Sequence, residues 1–214
     1  GSLRECVSRS AEQAIVGATF HLREEMRLGN LTLLGSAYGL SGVTVVLNTP
    51  LLTSVGSLVL HAPRIHSTSL PFFRVVCDLE AKNSLKGEGF SWSYASHIDK
   101  EVGAEGVISA GLVISFRQWP NCELRVTLFS KLLFRRSYRV DKSRTEGDHC
   151  WLAPSGAARL TMAFNASGLL VHSDVRGTVV DGHALPKTWA PRMDWVMAFG
   201  ASSGRHTASF QLVD

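Results

Sequence analysis

Apolar and polar residues alternate with a period of two in segment after segment of this chain, while helical periodicity is almost absent. A chain with that pattern buries one face of many short strands, so it folds as antiparallel sheets. Val43-Thr44-Val45-Val46-Leu47, Gly56-Ser57-Leu58-Val59-Leu60 and Phe72 to Leu79 are the first clear strands, punctuated by Asn48-Thr49-Pro50 and Ala62-Pro63-Arg64. The same signature returns at Val107 to Phe116, Cys122 to Phe129, Ala158 to Phe164, Leu169 to His172, Gly177 to Val180, Trp195 to Phe199 and Thr207 to Val213. Ten or more strands are expected, with a hairpin spanning Leu160 to Val171. The window Ala11 to Met26 stays open between a short helix and an edge strand, because Arg23-Glu24-Glu25 suits the first and Ile15 to Phe20 the second. Polar, glycine-rich stretches at Ala81 to Gly87, Ser96 to Gly106 and Asp141 to Asp148 read as surface loops.

The 214 residues are few enough for one sandwich, so residues 1–214 are read as a single all-β domain. With 45% apolar and only 19% charged residues, the chain can fill a core between two sheets. The net charge of +4 and a pI near 9.0 do not make it a nucleic-acid binder, since the basic residues are scattered apart from Arg135-Arg136 and Arg139. No run approaches the ~20 apolar residues of a transmembrane helix. The opening Gly1-Ser2-Leu3-Arg4 is neither a signal peptide nor a Met start, and a piece of a larger protein is expected. Four cysteines, Cys6, Cys77, Cys122 and Cys150, lack C-x-x-C spacing and read as disulfides or buried thiols. Sequons at Asn30-Leu31-Thr32 and Asn165-Ala166-Ser167 point, with the even cysteine count, to the secretory route and to an extracellular or cell-surface location.

Three segments carry a resemblance. Gly87-Glu88-Gly89-Phe90-Ser91-Trp92-Ser93-Tyr94, Gly111 to Asn121 and Trp195 to Gly204 stand in the order and at the distances of three motifs of the concanavalin A-like lectin and laminin-G-like superfamily, which the chain resembles from about Leu31 to Val213. The resemblance implies a two-sheet antiparallel β-sandwich, a jelly roll, with ligand-holding loops at one rim. In that family the first motif supplies a sugar-contacting Asp, and Glu88 stands here instead, followed by Gly89. The second motif often reads E-F-D-T-x-x-N. Asn121 matches its Asn, but Arg117 stands where a calcium-ligating Asp is expected, and a guanidinium beside a hard cation is unfavourable, so no cofactor is expected and calcium is not carried over. In the third, Ser202-Ser203-Gly204-Arg205-His206 resembles the turn that closes one wall of the sugar pocket.

The carbohydrate-binding candidates are therefore Glu88, Gly89, Asn121, Ser203, Gly204 and Arg205, with Trp119 as a surface on which a sugar ring could stack. Trp92 and Trp195 lie in alternating strands and are assigned to the core. No paired carboxylates with glycosidase spacing, nucleophile elbow or histidine metal motif is present, so no catalytic or metal residue is expected. The implied activity is non-catalytic binding of a glycan. The other reading the resemblance offers is a laminin-G-like adhesion module that contacts extracellular proteins or neighbouring domains.

Overall fold

The computed structural model of the chain describes residues 18–21, 31–40, 44–49, 51–61, 72–82, 87–98, 100–106, 111–118, 121–138, 150–153, 155–192, 195–205 and 208–213. These residues form strands and connecting loops and include no helix. In chain order the strands are β1 (Ala18–His21), β2 (Leu31–Gly35), β3 (Tyr38–Leu40), β4 (Thr44–Val46), β5 (Val55–Leu60), β6 (Phe73–Lys82), β7 (Gly89–Ala95) and β8 (Gly111–Arg117). They continue as β9 (Cys122–Leu128), β10 (Lys131–Tyr138), β11 (Ala157–Asn165), β12 (Gly168–Ser173), β13 (Gly177–His183), β14 (Val196–Ser202) and β15 (Ser209–Val213).

Two sheets result. One is ordered β13-β12-β11-β6-β15-β4-β3, with β1 added parallel to the first half of β6; the other is ordered β10-β9-β8-β7-β14-β5-β2. Apart from β1 with β6, the pairings are antiparallel, as the alternating pattern requires. The expected two-sheet antiparallel sandwich is the observed architecture. Its jelly-roll wiring shows in β14 and β15, which end the chain in different sheets yet sit between β5 and β7 and between β4 and β6.

The period of two decides which side chains meet between the sheets. Phe90, Trp92 and Tyr94 of β7 point inward with Ile114 and Phe116 of β8, opposite Phe73, Leu79, Met162, Phe210 and Leu212 of the other sheet. Phe73 lies 5.5 Å from Trp92 and Phe90 lies 5.8 Å from Phe210, ring centre to ring centre, so aromatic contacts span the gap. Trp92 is fully buried, and truncating such a side chain to Ala costs about 3–5 kcal/mol. Trp195 is half-buried against the same core.

Several sequence expectations change. Of the Ala11 to Met26 window, Ala18–His21 is a strand and the remainder lies outside the described residues. β10 lies outside the expected strands, because Lys131–Tyr138 is an exposed edge strand whose register shifts between Leu132 and Phe134, which erases the alternation. The stretch expected as a surface loop from Ser96 to Gly106 is exposed at Ser96, His97, Lys100 and Glu101 but turns inward after them. Val102 and Ala104 within it are buried, and the segment lies over the outer face of the seven-stranded sheet. Of the cysteines, Cys122 and Cys150 form a disulfide, whereas Cys77 is a free thiol on β6 facing the core. Burial, with Asp78 beside it, pushes the Cys77 thiol far up and leaves it un-ionised. Cys6 lies outside the described residues.

Candidate functional site

Strand register assembles the site. Val55 pairs with Ser202, Ser202 with Gly89, Gly89 with Arg117, Arg117 with Glu123, and Glu123 with Ser137. This row crosses six strands at one end of the seven-stranded sheet. The segments 51–54, 87–88 and 203–205, with Gln118 and Asn121, therefore emerge at one rim although they are far apart in sequence.

Glu88 is exposed at the centre of this rim and held from several sides. Its amide N–H donates to Ser202 O at 3.2 Å, and its carbonyl accepts from the Gln118 amide at 2.9 Å. Its carboxylate Oε2 accepts from Ser202 Oγ at 2.7 Å. The Ser202 hydroxyl also accepts from the Ala104 amide at 3.2 Å, so one side chain ties the 100–106 segment to the Glu88 carboxylate. The sequence shows Ser202 only as part of a turn; its alternation with Ala201, which faces the core, is the signal that puts it on the outer face.

Two glycines make this geometry. Gly89 has φ +134° and lies so close to Phe116 that a Cβ would sit 2.1 Å from its carbonyl oxygen. Gly204 has φ +59°, and a Cβ there would lie 2.4 Å from Glu88 Cγ. The Glu88 side chain thus occupies space that Gly204 leaves free.

The remaining candidates fall into three groups. Asn121 and Arg205 are exposed at the rim, as a ligand contact requires. Ser203 is not available as a contact: it is fully buried, its hydroxyl donates to Leu51 O and accepts from the Ser54 amide at 2.9 Å, and its own amide donates to Ser54 O at 3.0 Å. It fastens the 203–205 turn to the 51–54 segment, an attachment completed by the Thr53 amide on Gly204 O at 2.7 Å. Trp119, His206 and the sequon residue Asn30 lie outside the described residues. Asn165 is exposed at the β11–β12 turn, where its Oδ1 accepts from the Ser167 amide at 2.8 Å. The sequence had not drawn attention to Leu51 and Leu52, which are 66% and 61% exposed and form an apolar lip beside the 203–205 turn.

The 100–106 segment settles on a face made of small residues. Ser57, Gly200, Ser91 and Ser115 form the second row in from the rim, and their hydroxyls bind the backbone above them. Ser57 Oγ accepts from the Val102 amide at 3.1 Å, Ser91 Oγ donates to Gly103 O at 2.7 Å, and Ser115 Oγ donates to Glu105 O at 3.1 Å. Glu105 also places a carboxylate oxygen 2.8 Å from Arg117 Nη2.

No protein-family model matches this chain, and no curated protein matches it in sequence. Solved structures do match. The exoplasmic/lumenal domain of VIP36 in its Ca2+/Man-bound form aligns with a TM-score of 0.55 at 16% identity, covering 86% of this chain and 80% of that one. The carbohydrate recognition domain of Emp47p gives 0.55 at 16% identity, covering 86% of each chain. The basic winged bean lectin with Tn-antigen gives 0.62 at 12% identity, covering 86% of this chain and 90% of that one. The fold is that of the concanavalin A-like lectins.

Arg117 is ion-paired with Glu105, and among the described residues no three His, Cys, Asp or Glu side chains stand together. On β6, Asp78 and Glu80 are each engaged by basic side chains. Asp78 takes both Nε and Nη2 of Arg159 at 2.7 and 2.8 Å, while Glu80 takes Lys82 at 2.6 Å and Gln211 at 2.9 Å. No helix among the described residues is long and apolar enough to cross a membrane.

Proposed function

We propose that this domain is a non-catalytic carbohydrate-binding module whose glycan sits at the rim built by Glu88, Gly89, Asn121 and the Gly204-Arg205 turn. The observation that carries the reading is the Glu88 carboxylate: exposed to solvent, yet fixed by Ser202 and by the gap at Gly204, in a fold shared with lectins. A pre-positioned carboxylate accepts hydrogen bonds from adjacent sugar hydroxyls without first losing side-chain freedom. Asn121 adds donors and an acceptor, and Leu51 and Leu52 offer an apolar surface for the C–H face of a sugar.

Binding is independent of calcium in this reading, because the Glu105–Arg117 ion pair and the serine hydroxyls hold the 100–106 segment where the resemblance would have called for a cation. The same reading has the domain travel the secretory route to the cell surface or the outside of the cell, with Asn165 glycosylated. The Cys122–Cys150 disulfide and the exposed sequon support that location.

The exposed Leu51-Leu52 lip also suits a protein partner, which is the adhesion-module alternative. A glycan-array screen with calcium and with chelator separates the two. Saturable binding that is unchanged by chelator and lost in both Glu88→Ala and Asn121→Ala supports the lectin reading. Silence across the array from a folded protein favours the protein-binding module, and binding abolished by chelator overturns calcium independence.

A further inference from the structure

Beyond the rim, the outer face of the seven-stranded sheet changes character. The row that begins with Ser57, Gly200, Ser91 and Ser115 continues into Arg125 on β9 and Arg135 on β10, which are direct cross-strand partners. Two guanidinium groups opposite each other are unfavourable on their own. They are held together by Glu123, whose side chain is only 2% exposed and whose carboxylate accepts from Arg125 Nε, Arg135 Nε and, at 3.1 Å, Ser137 Oγ. Burial alone would raise the Glu123 pKa, but these hydrogen bonds outweigh it and keep the carboxyl below its ordinary value, so Glu123 stays ionised.

The anchoring uses the inner nitrogen of each arginine. The terminal nitrogens of Arg135 have no protein partner among the described residues, and Arg125 Nη1 reaches only the outer edge of the Glu105 carboxylate, at 3.9 Å. Arg117, Arg125 and Arg135 keep 34%, 30% and 56% of their side-chain surface exposed. Three guanidiniums face two carboxylates, Glu105 and Glu123, which leaves one positive charge. A buried carboxylate spent on aligning two like charges, with their planar donor edges left open, is the arrangement that recognises an oxyanion.

We infer that Arg125 and Arg135 form a subsite for an anionic substituent, a carboxylate or a sulfate ester, on the glycan held at the rim. The inference rests on the carbohydrate-binding reading and names the class of sugar. Glu123 lies two residues beyond Asn121, and β10 is three strand spacings from β7, about 14 Å at the usual separation. An oligosaccharide rather than a monosaccharide has to span that distance.

The test is calorimetric titration of one neutral oligosaccharide, its sulfated form and its uronate form, at low and moderate salt, against the wild type, Arg135→Gln, Arg125→Gln and Glu88→Ala, with thermal unfolding to confirm that each variant is folded. The expected result is that an anionic form binds about tenfold tighter than the neutral one, that salt shrinks the advantage, and that Arg135→Gln brings the ratio of the two affinities close to one. Whether the sulfated or the uronate form gains more decides the substituent. Neutral binding that depends on Glu88 with no anionic preference leaves the rim reading standing and overturns this subsite, as does a preference that survives both arginine variants. Binding of anionic forms alone, sensitive to Arg135 and indifferent to Glu88→Ala, supports the subsite and removes the rim. Silence with every probe overturns both.

Discussion

Glu88 Cγ lies 2.4 Å from the point where a Cβ on Gly204 would stand, so the carboxylate at the rim keeps its position only because residue 204 has no side chain. Gly204→Ala would have to move Glu88 and would also place a non-glycine residue at φ +59°, at a cost of about 1–2 kcal/mol. We expect a modest fall in thermal stability together with about a tenfold loss of glycan affinity, read by thermal unfolding and calorimetry. Unchanged affinity would show that the Glu88 position is not part of the binding surface.

Gly89→Val should not fold. A Cβ would be 2.1 Å from Phe116 O at the rim end of the β7–β8 ladder, and a branched residue cannot hold φ +134°. Expression as insoluble or unstructured protein is expected by circular dichroism; wild-type thermal stability would contradict the placement of this strand.

Asn48 is a buried clamp between β15 and the end of its neighbour β4 in the eight-stranded sheet. Its Nδ2 donates to Ala208 O at 2.8 Å and its Oδ1 accepts from the Phe210 amide at 2.9 Å, which draws the start of β15 against the segment after β4. Asn48→Ala strands both backbone partners in a buried site, and roughly 2–4 kcal/mol of stability should be lost in urea titrations.

Removing the Cys122–Cys150 disulfide opens a loop of sequence separation 28. Its chain-entropy contribution is about 3–4 kcal/mol. Double substitution by Ala should lower the urea midpoint accordingly, and reduction of the native protein should give the same shift.

Acid should weaken the sandwich through Glu123 and Glu80. Arg135, Arg125 and Ser137 outweigh burial to hold Glu123 below the ordinary value of 4.5, and Lys82 followed by Gln211 does the same for Glu80. A carboxyl whose folded pKa is depressed contributes stability that is present above its unfolded pKa and is lost as pH falls through the lower folded value. The unfolding free energy should therefore be flat above pH ~5 and decline below about 4.5. Glu123→Gln should make that decline shallower even though the variant is less stable at neutral pH.

How much of this was legible beforehand follows the range of the forces involved. Alternation is a local signal, because each side chain's face is set by its neighbours along one strand. It located β5, β6, β9 and the β11–β12 hairpin, assigned Trp92 to the core and led to the two-sheet architecture. It failed at β10, where an exposed edge and a register shift remove the pattern. Polarity gave the exposed part of the 96–106 loop but not its packing at 102–105, where serines on the sheet beneath bind the loop backbone.

The amino-acid sequence by itself determined a sandwich with an ample core, and through resemblance it pointed to Glu88, Asn121 and the 203–205 turn. Only the tertiary structure decided that Ser203 is a buried fastener, that Ser202 steers Glu88, that Cys77 is free and that Glu123 gathers Arg125 and Arg135. Each of those outcomes depends on strand order and register. Pairing between residues as distant as Val55 and Ser202 is chosen by the burial of whole sheet faces and not by any short stretch of chain.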